Sequence, residues 1–149
     1  MKGVLLIKMK KVFRTDVRVI FRDTDAMGVV YHTNYIHWFE VGRTELLRDI
    51  GFPYSELEKI PIWMPVAQVY CEYKSPARYD DLLEVATYIS KLGKVSLTLS
   101  YEITRKSTGE LLVTGYTRHG VTDESMKPLH MGRHSPEFFA TLQAIADEE

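Results

Sequence analysis

The chain has little cysteine, no excess of charge of one sign and no long apolar run. Its 149 residues include one cysteine, Cys71, so no internal disulfide can form, and we expect the reducing cytoplasm as its compartment. The 19 lysine and arginine residues against 20 aspartate and glutamate residues leave a net charge of −1. This balance removes the overall attraction to phosphate that nonspecific nucleic-acid binding requires. No run approaches the roughly 18 apolar residues of a membrane-spanning helix, so we expect no membrane span.

Length and composition predict one domain over residues 1–149, since 45% hydrophobic and 26% charged residues are ordinary for a globular chain. At the N-terminus, the apolar run Val4–Ile7 is followed at once by Lys8. That run is too short for the apolar core of a secretory signal. We therefore expect a leading strand or an irregular start there.

A long helix is predicted after residue 33. Thr33 or Asn34 can cap its first turn, and Gly51 with Pro53 gives the stop signal. Gly42 in mid-helix costs about 1 kcal/mol relative to alanine, which suggests that another backbone passes close by. A buried stripe at steps of three and four is formed by Tyr35, Phe39, Gly42 and Leu46, beside a second row of Ile36, Arg43, Leu47 and Ile50.

Period-two alternation predicts strands on both sides of this helix. Gly93 suits the first position of a two-residue hairpin turn, and Ser107–Gly109 suits a second turn. Ser135 and Pro136 suit the start of a short C-terminal helix. The predicted strands cover residues 12–22, 66–73, 83–89, 95–103 and 111–121.

The order of elements predicts an α+β fold, because only the first connection contains a long crossover helix. A curved antiparallel sheet of about five strands would wrap around the one long helix. Such a sheet leaves an edge to cover, so we expect dimerisation.

The stretch Asp23–Tyr35, where a strand leads into the helix, is dense in reactive side chains. Asp25 is the candidate nucleophile or general base. His32 lies near the helix start, where free N–H groups favour a developing oxyanion. On the residues alone the alternative stays open that the aspartates only satisfy loop amides and that His32 only packs.

The run Asp23-Thr24-Asp25-x-x-Gly28-Val29-Val30-Tyr31-His32-x-x-Tyr35, followed by Glu40, Arg43 and Glu45, resembles the signature of hotdog-fold acyl-CoA thioesterases. It is most similar to the 4-hydroxybenzoyl-CoA thioesterase class, especially bacterial members associated with the Tol-Pal genes. Weaker similarity continues through Tyr79–Asp81 and Leu92–Ser96. The resemblance implies the hotdog fold, an acyl-CoA substrate, no cofactor, and a dimer or tetramer with active sites at the subunit interface.

The resemblance also implies roles for single residues. Asp25 matches the catalytic carboxylate, and His32 matches the position whose backbone N–H polarises the thioester carbonyl. Tyr31 would help to shape the site, with simple packing as the open alternative, and Gly28 would permit the turn. Ser96, in the weaker part of the match, is a further candidate substrate-binding residue. Lys94 and Arg118 are candidates for the phosphates of CoA because they lie near predicted strand ends; the open alternative for each is a solvated surface charge.

Two other functions are compatible with these residues. One is a hydratase or dehydratase of acyl thioesters on the same fold. The other is a non-catalytic protein that binds acyl thioesters or acyl carrier protein, since fold alone does not define function.

Several polar and apolar residues receive a structural interpretation instead. We expect no metal site, because Gly132 and Pro136 disfavour a helix that would bring His130 and His134 together. Glu40 and Arg43 are expected to form an ion pair on the helix, and Cys71 to be a small core residue. Ordinary core packing, rather than a pocket, is expected for Trp38, Trp63, Met64 and Val66.

Overall fold

One five-stranded antiparallel sheet packs against a long helix, α1. The computed structural model describes residues 10–146, so the prediction for Val4–Ile7 lies outside the described residues. The strand order is β1-β3-β4-β5-β2, with every neighbouring pair antiparallel. The elements are β1 (Phe13–Arg18), α1 (Asn34–Asp49), α2 (Tyr54–Leu57), β2 (Val66–Tyr73), β3 (Leu82–Leu92), β4 (Ser96–Arg105), β5 (Leu111–Gly120), α3 (Met131–His134) and α4 (Pro136–Ile145).

The core lies between α1 and the inner face of the sheet. The ring of Phe39 stacks on that of Tyr101 in β4, with centroids 4.3 Å apart and planes 7° from parallel. Each such fully buried side chain contributes about 1.5–3 kcal/mol relative to its exposed state. The predicted helical stripe is confirmed, because Tyr35, Phe39, Gly42 and Leu46 are all buried.

Glycines allow α1 to approach the sheet closely. A Cβ on Gly42 would collide with Thr87 Oγ1 and lie 2.9 Å from Val85 Cγ1. The close approach predicted from Gly42 is therefore confirmed, but side chains of β3 make it rather than a backbone. On the opposite side of the core, a Cβ on Gly115 would collide with the Tyr70 carbonyl oxygen.

Local predictions at the element ends are partly wrong. Strand β1 ends at Arg18, four residues before the predicted end of this strand, and Phe21 is 77% exposed in a short 3-10 turn. Thr33 is the N-cap residue of α1, but its side chain makes no capping hydrogen bond. The amide of Asn34 instead donates to the Asp23 carbonyl, at 2.8 Å. The start of α1 is thus held by a contact with the preceding loop. Local capping rules do not predict this contact.

The β3–β4 hairpin also differs from the prediction. Three residues, 93–95, join the strands, and the Gly93 N–H donates to the Ser96 carbonyl at 2.9 Å. Gly93 does not adopt the positive φ that a two-residue turn with glycine first requires. The turn before β5 is confirmed, with Gly109 at φ 75°. The Ser135 side chain caps α4 as predicted.

The predicted ion pair between Glu40 and Arg43 is wrong. Arg43 is only 8% exposed and donates to the Tyr101 hydroxyl at 3.3 Å, whereas Glu40 faces away from the core. Arg43 lies on the buried face of α1, so its side chain points into the core and away from Glu40. Cys71 is half-buried and packs against the core, in agreement with its predicted role.

A helical turn, α3, does form where glycine and proline were expected to prevent it. His130 Nδ1 caps this turn by accepting from the Arg133 N–H, and His134 Nε2 contacts the Ile60 carbonyl. Each imidazole therefore has a protein partner. Within residues 10–146, none of the helices has both the length and the apolar character needed to cross a membrane.

Candidate active site

A tight loop before α1 presents Asp25. A β-bridge joins Thr24 to Val30, and the Asp25 N–H donates to the Val29 carbonyl at 2.8 Å. The Gly28 N–H closes the turn on the Asp25 carbonyl at 3.0 Å. Gly28 has φ 81°, a conformation that favours glycine strongly. The predicted need for glycine at this turn is confirmed.

The two carboxylates of this loop have different environments. Asp23 Oδ2 accepts from the Ile20 N–H at 2.9 Å, so Asp23 satisfies a loop amide. Asp25 Oδ1 accepts from the Met27 N–H at 2.8 Å, whereas Asp25 Oδ2 has no hydrogen-bond partner among residues 10–146. The Met27 bond fixes the orientation of the Asp25 carboxylate and leaves its second oxygen available for chemistry.

Asp25 lines a depression of about 310 Å³. One wall comes from the loop and the start of α1, and the other from the end of β2 and the residues after it. His32 lines the same depression, so the structure brings the two predicted catalytic residues together. The remaining lining residues are Met27, Val29, Val30, Tyr35, Tyr73, Lys74, Ser75 and Pro76.

The backbone around His32 offers hydrogen-bond donors at the start of α1. Within the described part of the chain, the N–H groups of His32 and Thr33 have no acceptor. The His32 carbonyl accepts from the Tyr73 hydroxyl at 3.0 Å, which ties the helix start to β2. The His32 side chain is exposed. Backbone donors next to the positive end of a helix suit an oxyanion better than an exposed imidazole does.

Two tyrosines that line the depression, Tyr35 and Tyr73, were not among the predicted site residues. The Tyr35 hydroxyl accepts from the Ala77 N–H at 3.0 Å, and burial raises its pKa. Burial, with a hydrogen bond to Cys71, raises the pKa of Tyr73 to about 12. Both phenols are therefore neutral near pH 7 and serve as hydrogen-bonding groups rather than bases. Tyr35 belongs to the motif, but no local pattern connects Tyr73 with it.

The other predicted residues lie outside this depression. Tyr31 is 47% exposed, and its ring packs 4.7 Å from that of His32. Arg118 pairs with Gln68 near the start of β2, and Ser96 pairs with Gly120. Lys94 lies in the adjoining hairpin. Within one protomer, Lys94, Ser96 and Arg118 are thus at the opposite end of the sheet from Asp25.

Comparison with known proteins gives a consistent picture. The family model of the thioesterase-like superfamily matches residues 19–138. YneP of Bacillus subtilis, provisionally named an acyl-CoA thioesterase, is 36% identical over 133 residues, which is 89% of this chain and 96% of YneP. The acyl-CoA thioester hydrolase YbgC of Escherichia coli O6:H1 is 42% identical over 91 residues, 61% of this chain and 68% of YbgC. The structure of DHNA-CoA thioesterase from Staphylococcus aureus superimposes with a TM-score of 0.84 at 31% identity, covering 90% of both chains.

Proposed function

This chain belongs to the thioesterase-like superfamily and is a thioester hydrolase, and we propose that it hydrolyses acyl-CoA to the free acid and CoA with Asp25 as its catalytic carboxylate. One observation carries this proposal. The unbonded oxygen of Asp25 and the backbone donors of His32 belong to residues that line a single depression.

Two routes use the same groups. In the first, Asp25 Oδ2 attacks the thioester carbon and expels the CoA thiolate, and water then cleaves the acyl-aspartyl anhydride. In the second, Asp25 takes a proton from a water molecule that attacks the same carbon. In both, the carbonyl oxygen gains negative charge opposite the His32 N–H, and one such donor contributes about 2.7–4 kcal/mol. A thiol of pKa about 8.5 leaves readily without strong protonation.

The two edges of the sheet differ in a way that favours a homodimer through β2. The β1 edge carries Arg14, Asp16 and Arg18, and charges of this kind protect an edge from pairing. The β2 edge has one charged residue, Glu72, and no proline within the strand. Its Val66, Val69, Tyr70 and Tyr73 are 42–48% exposed. A second copy of the chain pairing antiparallel along β2 would cover them.

Pairing through β2 would also bring the remaining predicted residues toward the reaction centre. A two-fold axis through the middle of β2 places the start of one strand beside the end of the other. Lys94, Ser96 and Arg118 lie at the end of the sheet where β2 begins, whereas Asp25 lies near the end of β2. We therefore propose that these three residues bind CoA across the dimer, as residues of the partner subunit. Two such dimers could assemble into a tetramer.

A panel of thioesters with detection of the released thiol tests the proposed function. We expect thiol release from acyl-CoA substrates, and the same panel with acyl carrier protein thioesters tests that second substrate class. Hydration of an enoyl-CoA without thiol release would instead support a hydratase. The cytoplasm is the proposed compartment, since acyl-CoA is made there and a lone cysteine stays reduced.

Replacing His32 with alanine is expected to reduce kcat less than about tenfold, because the variant keeps the backbone N–H that we assign to the oxyanion. Steady-state kinetics on the best substrate of the panel checks this. A loss as large as that of an Asp25 variant would mean that the imidazole itself takes part in catalysis.

A lysine at Val69 is expected to separate the dimer. Near a two-fold axis each lysine faces its own copy, and like charges directly opposite each other destabilise a strand pair. Sedimentation velocity should report half the wild-type mass for Val69→Lys. Thr15→Lys, in the middle of the β1 edge, is the matched control and should keep the wild-type mass. A dimeric Val69→Lys protein would argue against pairing through β2.

A further inference from the structure

A second and larger cavity, of about 540 Å³, lies between α2 and the segment 61–65. Its apolar lining includes Leu57, Ile62, Trp63, Met64 and Pro65. The sequence-based assignment of Trp63 and Val66 to ordinary core is wrong, because Trp63 is 44% exposed at this cavity and Val66 is 48% exposed on β2. Met64 is partly buried and packs against the core, as predicted, while it also lines the cavity. Trp38, expected in the core as well, is buried there. The size and lining are those of a ligand pocket.

The segment that forms this cavity is held rigidly by its backbone. The N–H and carbonyl of Trp63 both bond to Thr122, at 2.9 Å each. The Pro65 carbonyl accepts from the Gly120 N–H at 3.1 Å. Because these consecutive residues are already fixed, ligand binding to this wall loses little further conformational entropy.

The Met64 carbonyl is held from inside the core by a directed chain of hydrogen bonds. Since a carbonyl only accepts, His119 Nδ1, 3.0 Å away, must carry the proton. Burial lowers the pKa of His119, so its ring is neutral near pH 7 and Nε2 accepts from Thr117 at 2.8 Å. Thr117 Oγ1 then accepts from the Tyr101 hydroxyl at 2.6 Å, and that hydroxyl accepts from Arg43. Every donor in this series of hydrogen bonds points toward the cavity wall.

The charges around the cavity show which part of a substrate fits it. Glu58 and Glu124 are its two charged lining residues, and both are exposed. Carboxylates repel the phosphates of CoA, whereas an uncharged hydrocarbon chain meets no such penalty. A methylene occupies about as much space as a water molecule, roughly 30 Å³. The cavity therefore has room for a chain of roughly ten or more carbons.

The cavity and Asp25 lie at opposite ends of β2 within one protomer. Met64 and Pro65 come directly before the strand, and Tyr73 and Lys74 at its other end line the depression of Asp25. The strand is about 23 Å long at roughly 3.3 Å per residue. Antiparallel pairing of two β2 strands about their centres would place the cavity of one protomer beside the depression of its partner.

We propose that this cavity binds the acyl chain of a medium- or long-chain aliphatic acyl-CoA whose thioester is cleaved at the partner's Asp25. The proposal rests on the proposed function and on pairing through β2. It assigns the cavity to chain-length selection, so kcat/KM of the wild-type protein should rise from acetyl-CoA through butyryl-CoA to dodecanoyl-CoA.

A bulky side chain in the cavity tests the assignment. Met64→Trp is expected to lower the ratio of kcat/KM for dodecanoyl-CoA to that for acetyl-CoA by about tenfold or more, since even one methylene group can be worth tenfold in a shaped pocket. Val41→Trp, on the exposed side of α1 and outside the cavity, is the control and should keep the wild-type ratio. An unchanged ratio in Met64→Trp would overturn the assignment.

Mixed dimers show which Asp25 the cavity serves. Met64→Trp and Asp25→Asn chains with different tags are co-expressed, and the mixed dimer is isolated by both tags. One of its two sites then combines an intact Asp25 with an intact cavity from the other chain. Dodecanoyl-CoA hydrolysis should return to about half the wild-type rate per dimer. A mixed dimer no more active than the Met64→Trp dimer would overturn the assignment across the interface.

Failure of the proposed function has a separate signature in these experiments. If Asp25→Asn homodimers hydrolyse both substrates at the wild-type rate, Asp25 is not the catalytic carboxylate. If the wild-type protein releases thiol from acetyl-CoA but not from dodecanoyl-CoA, the thioesterase activity stands and the acyl-chain cavity does not.

Discussion

Replacing Asp25 with asparagine is expected to lower kcat for acyl-CoA hydrolysis by at least about a hundredfold, with little change in KM. Asparagine has nearly the same size and can keep its side-chain oxygen on the Met27 N–H. The loop should therefore keep its shape. The variant loses the anionic second oxygen of the carboxylate. The amide nitrogen that replaces this oxygen neither attacks a thioester nor accepts a proton from water. Such a loss affects the transition state more than substrate binding.

Asp23→Asn is the matched control, two residues earlier in the same loop. The Asp23 carboxylate bonds the Ile20 N–H rather than lining the depression, so this variant should keep kcat within about threefold of wild type while losing at most about 1 kcal/mol of stability. Steady-state kinetics and thermal unfolding of both variants decide the matter. Equal activity of Asp25→Asn and Asp23→Asn would remove Asp25 from the mechanism.

Adding a single methyl group at Gly115 is expected to destabilise the fold by about 3 kcal/mol. The Cβ of Gly115→Ala would collide with the Tyr70 carbonyl oxygen and lie 2.7 Å from Phe39 Cζ. The first of these is backbone of β2 and the second is a fully buried ring stacked on Tyr101. Neither can move without shifting β2 or α1, so overpacking here cannot be relieved by a side-chain rotation.

Gly120→Ala provides the comparison within the same strand. A Cβ at Gly120 meets only Thr122 Cγ2, at 3.9 Å, an ordinary contact. Its free energy of unfolding should stay within about 1 kcal/mol of wild type. Urea denaturation of both variants measures the difference. Equal stability of the two would show that β2 yields at Gly115 without cost, and that the separation of β2 from α1 is not tightly set.

The elements that depend on periodicity were predictable from the sequence. The alternation over residues 95–103 and the stripe from Tyr35 to Leu46 each repeat a local pattern several times, and the observed β4 and α1 follow them closely. Single-residue signals were less reliable. Thr33 and Glu40 each suggested a local arrangement, but contacts with residues elsewhere in the chain replaced it. Gly93 suggested a two-residue turn, but the hairpin closes through a three-residue loop.

The same distinction, between local patterns and contacts distant in sequence, applies to the residues of the candidate site. Asp25, Gly28 and His32 lie within a few residues of each other, so their proximity was largely determined by the chain itself. Tyr73 and Lys74 reach the depression only because β2 returns to the start of α1. Trp63 lies at a cavity instead of in the core, and Met64 lines the same cavity, because Thr122 and His119 hold the backbone of these two residues in place.

By itself, then, the amino-acid sequence determined the α+β order of elements and the position of the turn that carries Asp25 and Gly28. These depend on hydrophobic period, on glycine geometry and on neighbours along the chain. The tertiary structure alone decided which wall faces Asp25, which strand edge is left apolar and where the large cavity lies. Those features arise from contacts between residues far apart in sequence, and the energies of such contacts depend on packing distances that no local pattern encodes.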